Sequence, residues 1–373
     1  MAYLVSTIVT PFLGYVYDLI GRVWFIIPAC FCLTFFLGVV PLTAPLFWAL
    51  CATRAIMSIL INVVHVSPLL VDYVKSESRG LAMSLAAMGL VVGELLMVGM
   101  FAVTRKLSMH AQFYVPAAIL AGISITLIFL IREPKLKAKR NTQQEEGEVT
   151  MENANQPEGW SKIKYLTKQL VEECQRKPKY IFCFICLLVS RLISVLFSVY
   201  MQLWILSFEK SGLLASKHEA DSIYLRVVVG AQIAVALTIP IFGFLADKAD
   251  VRVLIPATFL VRGLIALSFR FISNPNDFHS YALCILMVVV SIIQFISVEV
   301  IFLRNMEGHI RGTLSGMAFF FGSFGTTTFS LVGGIVFDKI GPWAPFMVVG
   351  GADMVVLVIS LIFILRGSIT RND

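Results

Sequence analysis

The sequence has 373 residues, of which 58% are hydrophobic and only 14% charged, with a formal net charge of +7. A soluble domain carries roughly a quarter charged residues, so this deficit excludes an ordinary water-soluble fold. The basic excess does not point to nucleic acid either, because the lysines and arginines collect beside the ends of apolar blocks, where membrane proteins use them for orientation.

In chain order, apolar blocks lie near residues 1–17, 23–40, 46–71, 80–104 and 112–131. A polar stretch, 132–179, follows. Six more blocks lie near 180–206, 221–246, 253–271, 280–303, 312–337 and 343–366. A helix needs about 20 apolar residues to cross a bilayer, and these blocks have that length. They are continuous rather than alternating, which predicts helices and not barrel strands. The expected fold is all-α: a polytopic membrane protein with about 11 transmembrane helices, five before the polar stretch and six after it. Met1 to Tyr17 has no basic segment before it and no small-residue cleavage site after it, so it reads as a helix rather than a signal peptide.

The polar stretch holds eleven of the thirty Lys and Arg residues. It should therefore be cytoplasmic. Counting helices outward puts Arg22, Lys75, Arg79, Lys248, Arg252, Arg304, Arg311, Arg366 and Arg371 on the same side, and Arg105, Lys106, Lys210, Lys217 and Lys339 opposite. The C-terminus should also be cytoplasmic. Plasma and organelle membranes both stay open. Within the loop, Trp160, Ile163, Leu166, Leu170 and Cys174 recur at helical spacing between lysines, which predicts an amphipathic helix on the inner membrane face.

The chain repeats itself. Gly14-Tyr-Val-Tyr-Asp18 returns as Gly243-Phe-Leu-Ala-Asp247 at an offset of 229, and Arg79-Gly80 returns as Arg311-Gly312 at 232. Two pairs at nearly one offset indicate a duplicated bundle. The domains read as 1–131, an N-terminal bundle; 132–179, the central loop; and 180–373, a C-terminal bundle. Against its own second half, the first half lacks one leading helix, which should precede Met1.

The stretch Gly14-Tyr-Val-Tyr-Asp18-Leu-Ile-Gly21-Arg22 resembles the signature G-x-x-x-D-x-x-G-R of the major facilitator superfamily. A second copy runs Gly243, Asp247 and Arg252, with Asp250 where the pattern has glycine. The resemblance covers essentially the whole chain and implies a two-bundle major-facilitator fold. It assigns a gating role to Gly14, Asp18, Gly21, Arg22, Arg79, Gly243, Asp247 and Arg252. Gly14 should let the family's eleventh helix, beginning near Gly312, approach closely, and Asp18 should accept hydrogen bonds from that helix's free N–H groups. Asp247 should do the same near Gly80.

Ionisable residues inside a membrane are costly and usually functional. Arg54 and Glu94 lie at similar depths, so an ion pair is expected between them, serving either solute and proton binding or structure alone. The resemblance places Arg54, Arg191 and Gln294 on helices lining the central cavity; for Arg191, snorkelling is the other reading. Glu94 is a candidate carrier of a coupling proton. It follows Gly89-x-x-x-Gly93, where proton-antiporting drug exporters of the family carry proline, which counts against that subgroup. Glu299, near the inner end of its helix with Arg304 close, reads as a gate or an interfacial pair rather than a binding residue, and Arg262 with Asp353 as a structural pair. The central arginines suggest an anionic solute, since a guanidinium fits carboxylate or phosphate.

The expected function is secondary active transport of a small organic solute by alternating access, driven by a gradient and carried out by a monomer in the lipid bilayer. No cofactor, metal site, nucleic-acid partner or enzyme motif is expected: Cys183-x-x-Cys186 lacks further ligands, and phosphate-binding loops are missing. The alternative is a non-transporting relative acting as receptor or partner subunit, or a truncated gene model.

Overall fold

The computed structural model describes residues 2–20, 23–65, 73–74, 78–104, 107–131, 160–305, 310–367 and 369. These form twelve helices and no strands. They are α1 (Ala2–Ile20), α2 (Val23–Thr43), α3 (Phe47–His65), α4 (Arg79–Thr104), α5 (Met109–Leu130), α6 (Trp160–Arg176), α7 (Lys179–Lys210), α8 (Lys217–Lys248), α9 (Val251–Ser268), α10 (Phe278–Arg304), α11 (Arg311–Lys339) and α12 (Ala344–Leu365). Ten, α2–α5 and α7–α12, are long and apolar enough to cross a membrane, and α1 adds a shorter apolar stretch, Thr7–Val16. The chain is a multi-pass integral membrane protein.

Local chemistry explains why helices survive where water is absent. Hydroxyls inside the spans donate to carbonyls of their own helix: Thr34 to Cys30, Ser124 to Leu120, Ser291 to Met287 and Thr326 to Gly322, at 2.9, 2.8, 2.6 and 2.9 Å. Prolines interrupt α1, α2, α5, α8 and α9 without ending them, as membrane helices tolerate. The Ser108 hydroxyl caps α5, and the Asp250 carboxylate caps α9 by accepting from the Arg252 N–H at 3.0 Å. Large apolar side chains such as Trp24, Val103 and Phe129 stay exposed, as lipid-facing surface must.

The contacts divide the chain into two units. The first holds the described residues of 1–73, 107–177 and 306–317. There α2 packs on α3 and α5, and α1 packs on α3. The second holds those of 74–106, 178–305 and 318–373. There α4 packs on α8 and α10, while α9 packs on α12 and α10. Its far end is an aromatic cluster: Phe269 stacks on Phe346 at 4.2 Å, with the edge of Trp204 against both.

Two departures from the sequence reading matter. The amphipathic helix forms as α6, but Leu166 and Leu170 on its apolar face are buried in protein rather than left for lipid. The Thr167 and Tyr15 hydroxyls share a hydrogen bond of 2.8 Å, which ties α6 to α1. Trp160 and Ile163 have side chains outside the described set. Second, α7 is not one regular helix. It breaks at Arg191 and contains a π-helical turn, Leu196–Tyr200. The Tyr200 hydroxyl then donates to the Ser330 carbonyl at 2.8 Å on α11.

Candidate functional site

Gly14 lies where α1 meets the opening of α11. A Cβ there would stand 2.5 Å from the Gly312 carbonyl oxygen and 2.9 Å from the Gly316 Cα. Both neighbours are backbone and cannot turn aside, so only glycine permits this approach. Gly243 on α8 faces the opening of α4 in the same way: a Cβ would overlap the Ser84 side chain and sit 3.3 Å from the Gly80 carbonyl oxygen. Asp18 and Asp247 each follow one helical turn later on α1 and α8, with side chains outside the described set. Gly21 and Arg22 lie outside the described residues altogether. In the degenerate second copy, Asp250 caps α9, and Arg252 folds back onto it with Nη2 2.8 Å from Oδ2.

Arg79, at the start of α4, is buried with 8% exposure and donates to the Leu303 carbonyl at 2.5 Å. That carbonyl belongs to the last turn of α10, where helix geometry leaves acceptors unused and the dipole favours cations. Lys179 and Tyr180, opening α7, complete the cap: the ammonium bonds the Asn305 side chain, and the Tyr180 hydroxyl donates to the Asn305 carbonyl at 2.5 Å.

Farther along these helices lies a set of polar groups. Arg191 sits between two aromatic rings, its guanidinium carbon 4.4 Å from the Phe295 centroid and 4.9 Å from that of Phe319. Its Nη2 stands 3.8 Å from Glu299 Oε1, and the side chains are 31% and 9% exposed. Phe295 and Glu299 are four residues apart on α10 and share one face. Gly322 on α11 makes room for the arginine stem, since a Cβ would come 2.9 Å from Arg191 Cγ. Glu299 thus meets Arg191, where the sequence suggested Arg304.

Glu94 on α4 accepts a hydrogen bond from the Gln232 amide on α8. The expectation paired it with Arg54; within its own unit, its hydrogen-bond partner is this amide. Arg54 is exposed on α3 of the first unit. Gln294 on α10 is fully buried beside Asp353, and neither atom of its amide meets a hydrogen-bonding partner in good geometry. Arg262 and Asp353 pair as expected: both are 0% exposed, with Nε 2.8 Å from Oδ2 and Nη2 against Oδ1.

Sequence reasoning missed Phe295, Phe319 and Gln232. Depth held a signal for the last: Glu94 is 15 residues from the start of α4, and Gln232 is 16 from the end of α8. Among the described residues, no cluster of three His, Cys, Asp or Glu side chains could hold a metal.

The fold is shared with known proteins. The chain is similar to the proton:xylose symporter XylE bound to 6-bromo-6-deoxy-D-glucose, with a TM-score of 0.67 and 15% identity over 100% of this chain and 86% of that one. It is also similar to FucP in the outward conformation, at 0.66 and 13% over 97% and 88%, and to the E. coli fucose:proton symporter FucP, at 0.63 and 14% over 97% and 88%. At such identities the likeness shows the fold. No curated protein matches the chain significantly. A family model described as Major Facilitator Superfamily matches residues 1–217, more than half of the sequence. Family and neighbours are transporters, not enzymes, and the chain belongs to the Major Facilitator Superfamily.

Proposed function

We propose that this protein is a secondary active transporter of a small organic anion, coupled to a proton. The observation that carries the reading is Arg191, held between Phe295 and Phe319 with Glu299 as its counterion. Five donors fan out from a guanidinium, and its geometry suits carboxylate or phosphate. A contact of 3.8 Å to Glu299 is looser than a hydrogen bond and leaves donors for a solute. Charge then sets the stoichiometry. Empty, the pair is neutral. A monocarboxylate arriving at Arg191 leaves one surplus negative charge, and a proton taken by Glu299 restores neutrality. The reading is therefore electroneutral symport of one monoanion with one proton. Glu94, hydrogen-bonded to Gln232, is a second candidate for proton carriage.

In this reading the bundles of residues 1–131 and 180–373 move by alternating access, joined by the cytoplasmic loop, and the C-terminus shares the loop's side. The Gly14 and Gly243 approaches, with Asp18 and Asp247 beside them, and the Arg79 cap on α10 form the inner gate and release when it opens. In this reading the transporter acts as a monomer.

Sugar transport is the second reading, favoured by what the neighbours named above carry. A ligand panel separates the two. Wild-type protein should be stabilised against heat by monocarboxylates such as lactate or benzoate, and Arg191→Gln should not. Stabilisation of both proteins by xylose or fucose, with no response to carboxylates, would sink the anion reading.

A further inference from the structure

The buried pair Arg262–Asp353 does more than neutralise itself. Arg262 comes from α9 and Asp353 from α12, and neither is exposed. Both helices carry a glycine at the crossing. A Cβ at Gly263 would stand 3.1 Å from Asp353 Cβ, and one at Gly350 would stand 3.1 Å from the Gly263 carbonyl oxygen. The pair is thereby clamped in place.

With Nε and Nη2 on the carboxylate, Arg262 still has donors to spend, and it spends them on α7. Nη2 reaches the Val189 carbonyl at 3.2 Å, and Nη1 reaches the Ser190 carbonyl at 3.5 Å. These are the last carbonyls before the break. In a regular helix the Ser190 carbonyl would take the Ser194 N–H four residues on. Here that N–H goes to the Arg191 carbonyl instead, at 3.2 Å, and the Ser194 hydroxyl adds a second bond to it at 2.8 Å. So the backbone register changes at the residue whose side chain faces Phe295, Phe319 and Glu299. The apolar run through Leu187, Val189, Leu192 and Val195 gives no local reason for a break. Tertiary hydrogen bonding supplies one.

We propose that Arg262 is a positioning residue: anchored by Asp353, its fork holds open the break in α7 and so aims Arg191 at its aromatic slot. This goes beyond the transport reading and stands apart from which solute Arg191 meets. Lysine at 262 would keep the ion pair but lose the fork, being a point charge with no second arm for the two carbonyls.

The test uses the full-length purified protein in nanodiscs and needs no solute. Wild type, Arg262→Lys and the volume-matched double variant Arg262→Met/Asp353→Leu are compared by hydrogen exchange at residues 192–195 and by phenylglyoxal modification of Arg191, read peptide by peptide. Replacing both buried charges by apolar side chains is often tolerated, which keeps a folded variant in hand if lysine fails to fold. Expected in either folded variant is slower exchange at 192–195, as the Ser194 N–H returns to the Ser190 carbonyl, with Arg191 modified at least about threefold faster than in wild type once it leaves its slot. A folded variant in which either the exchange or the Arg191 reactivity matches wild type overturns the proposal. Failure of carboxylates to bind would sink the transport reading without touching this result.

Discussion

Two arginine–carboxylate pairs stand in the same unit, and they differ in closure. Arg262–Asp353 is fully buried and bidentate, and two of the three remaining donors go to backbone carbonyls. Arg191–Glu299 is partly exposed, stands 3.8 Å apart and lies between rings that offer no hydrogen-bond acceptor of their own. The same two functional groups thus make a joint in one place and an opening in the other. A closed pair, with neither side chain exposed, offers a ligand no access. An open pair has spare donors and a counterion that can be exchanged, which is what a binding and release cycle requires.

That contrast breaks in a graded way. The largest effect should come from Arg262→Ala, which strands the Asp353 carboxylate in the interior. Removing one partner of a buried pair costs about 3–5 kcal/mol, so the variant should lose most folded protein in a thermal unfolding or size-exclusion assay. Arg191→Gln should instead keep its melting temperature near wild type and lose about 100-fold in carboxylate uptake. If the two variants lose equal stability, the distinction between joint and opening fails. Glu299→Gln comes next. If each solute brings a proton, as proposed, wild-type uptake should rise as external pH falls, whereas the variant should show a flat pH profile while still exchanging solute across the membrane. A sloping profile in the variant would move the proton to Glu94. The smallest effect should come from Gly14→Ala, whose Cβ meets the Gly312 and Gly316 backbone. Overpacking there costs about 1–3 kcal/mol. If this contact belongs to the proposed inner gate, the change should act on the gate more than on the fold, so cysteine labelling from the proposed inner side should increase with little change in melting temperature.

The helices were legible in the sequence because lipid enforces a simple rule. Every apolar block became a helix, and the described ends fall within four residues of the expected ones apart from that of the third block, whose residues 66–71 lie outside the described set. The approach at Gly14 was legible too, because a motif marked it; the matching approach at Gly243 emerges from the structure. Pairings across helices were not. Glu299 has Arg304 five residues away in sequence, yet its partner comes from α7, more than a hundred residues earlier. The break in α7 was also invisible, because its cause lies in Arg262 on another helix. Arg262 and Asp353 were readable as a pair because the family resemblance puts both on peripheral helices, where opposite buried charges have each other to neutralise.

The central claim is that Arg191 binds the transported anion. Its most direct test is uptake of a radiolabelled monocarboxylate into proteoliposomes under an imposed inward proton gradient, comparing wild type with Arg191→Gln. The account predicts accumulation above equilibrium for wild type and none for the variant, at equal amounts of folded protein. Equal accumulation by both would contradict it.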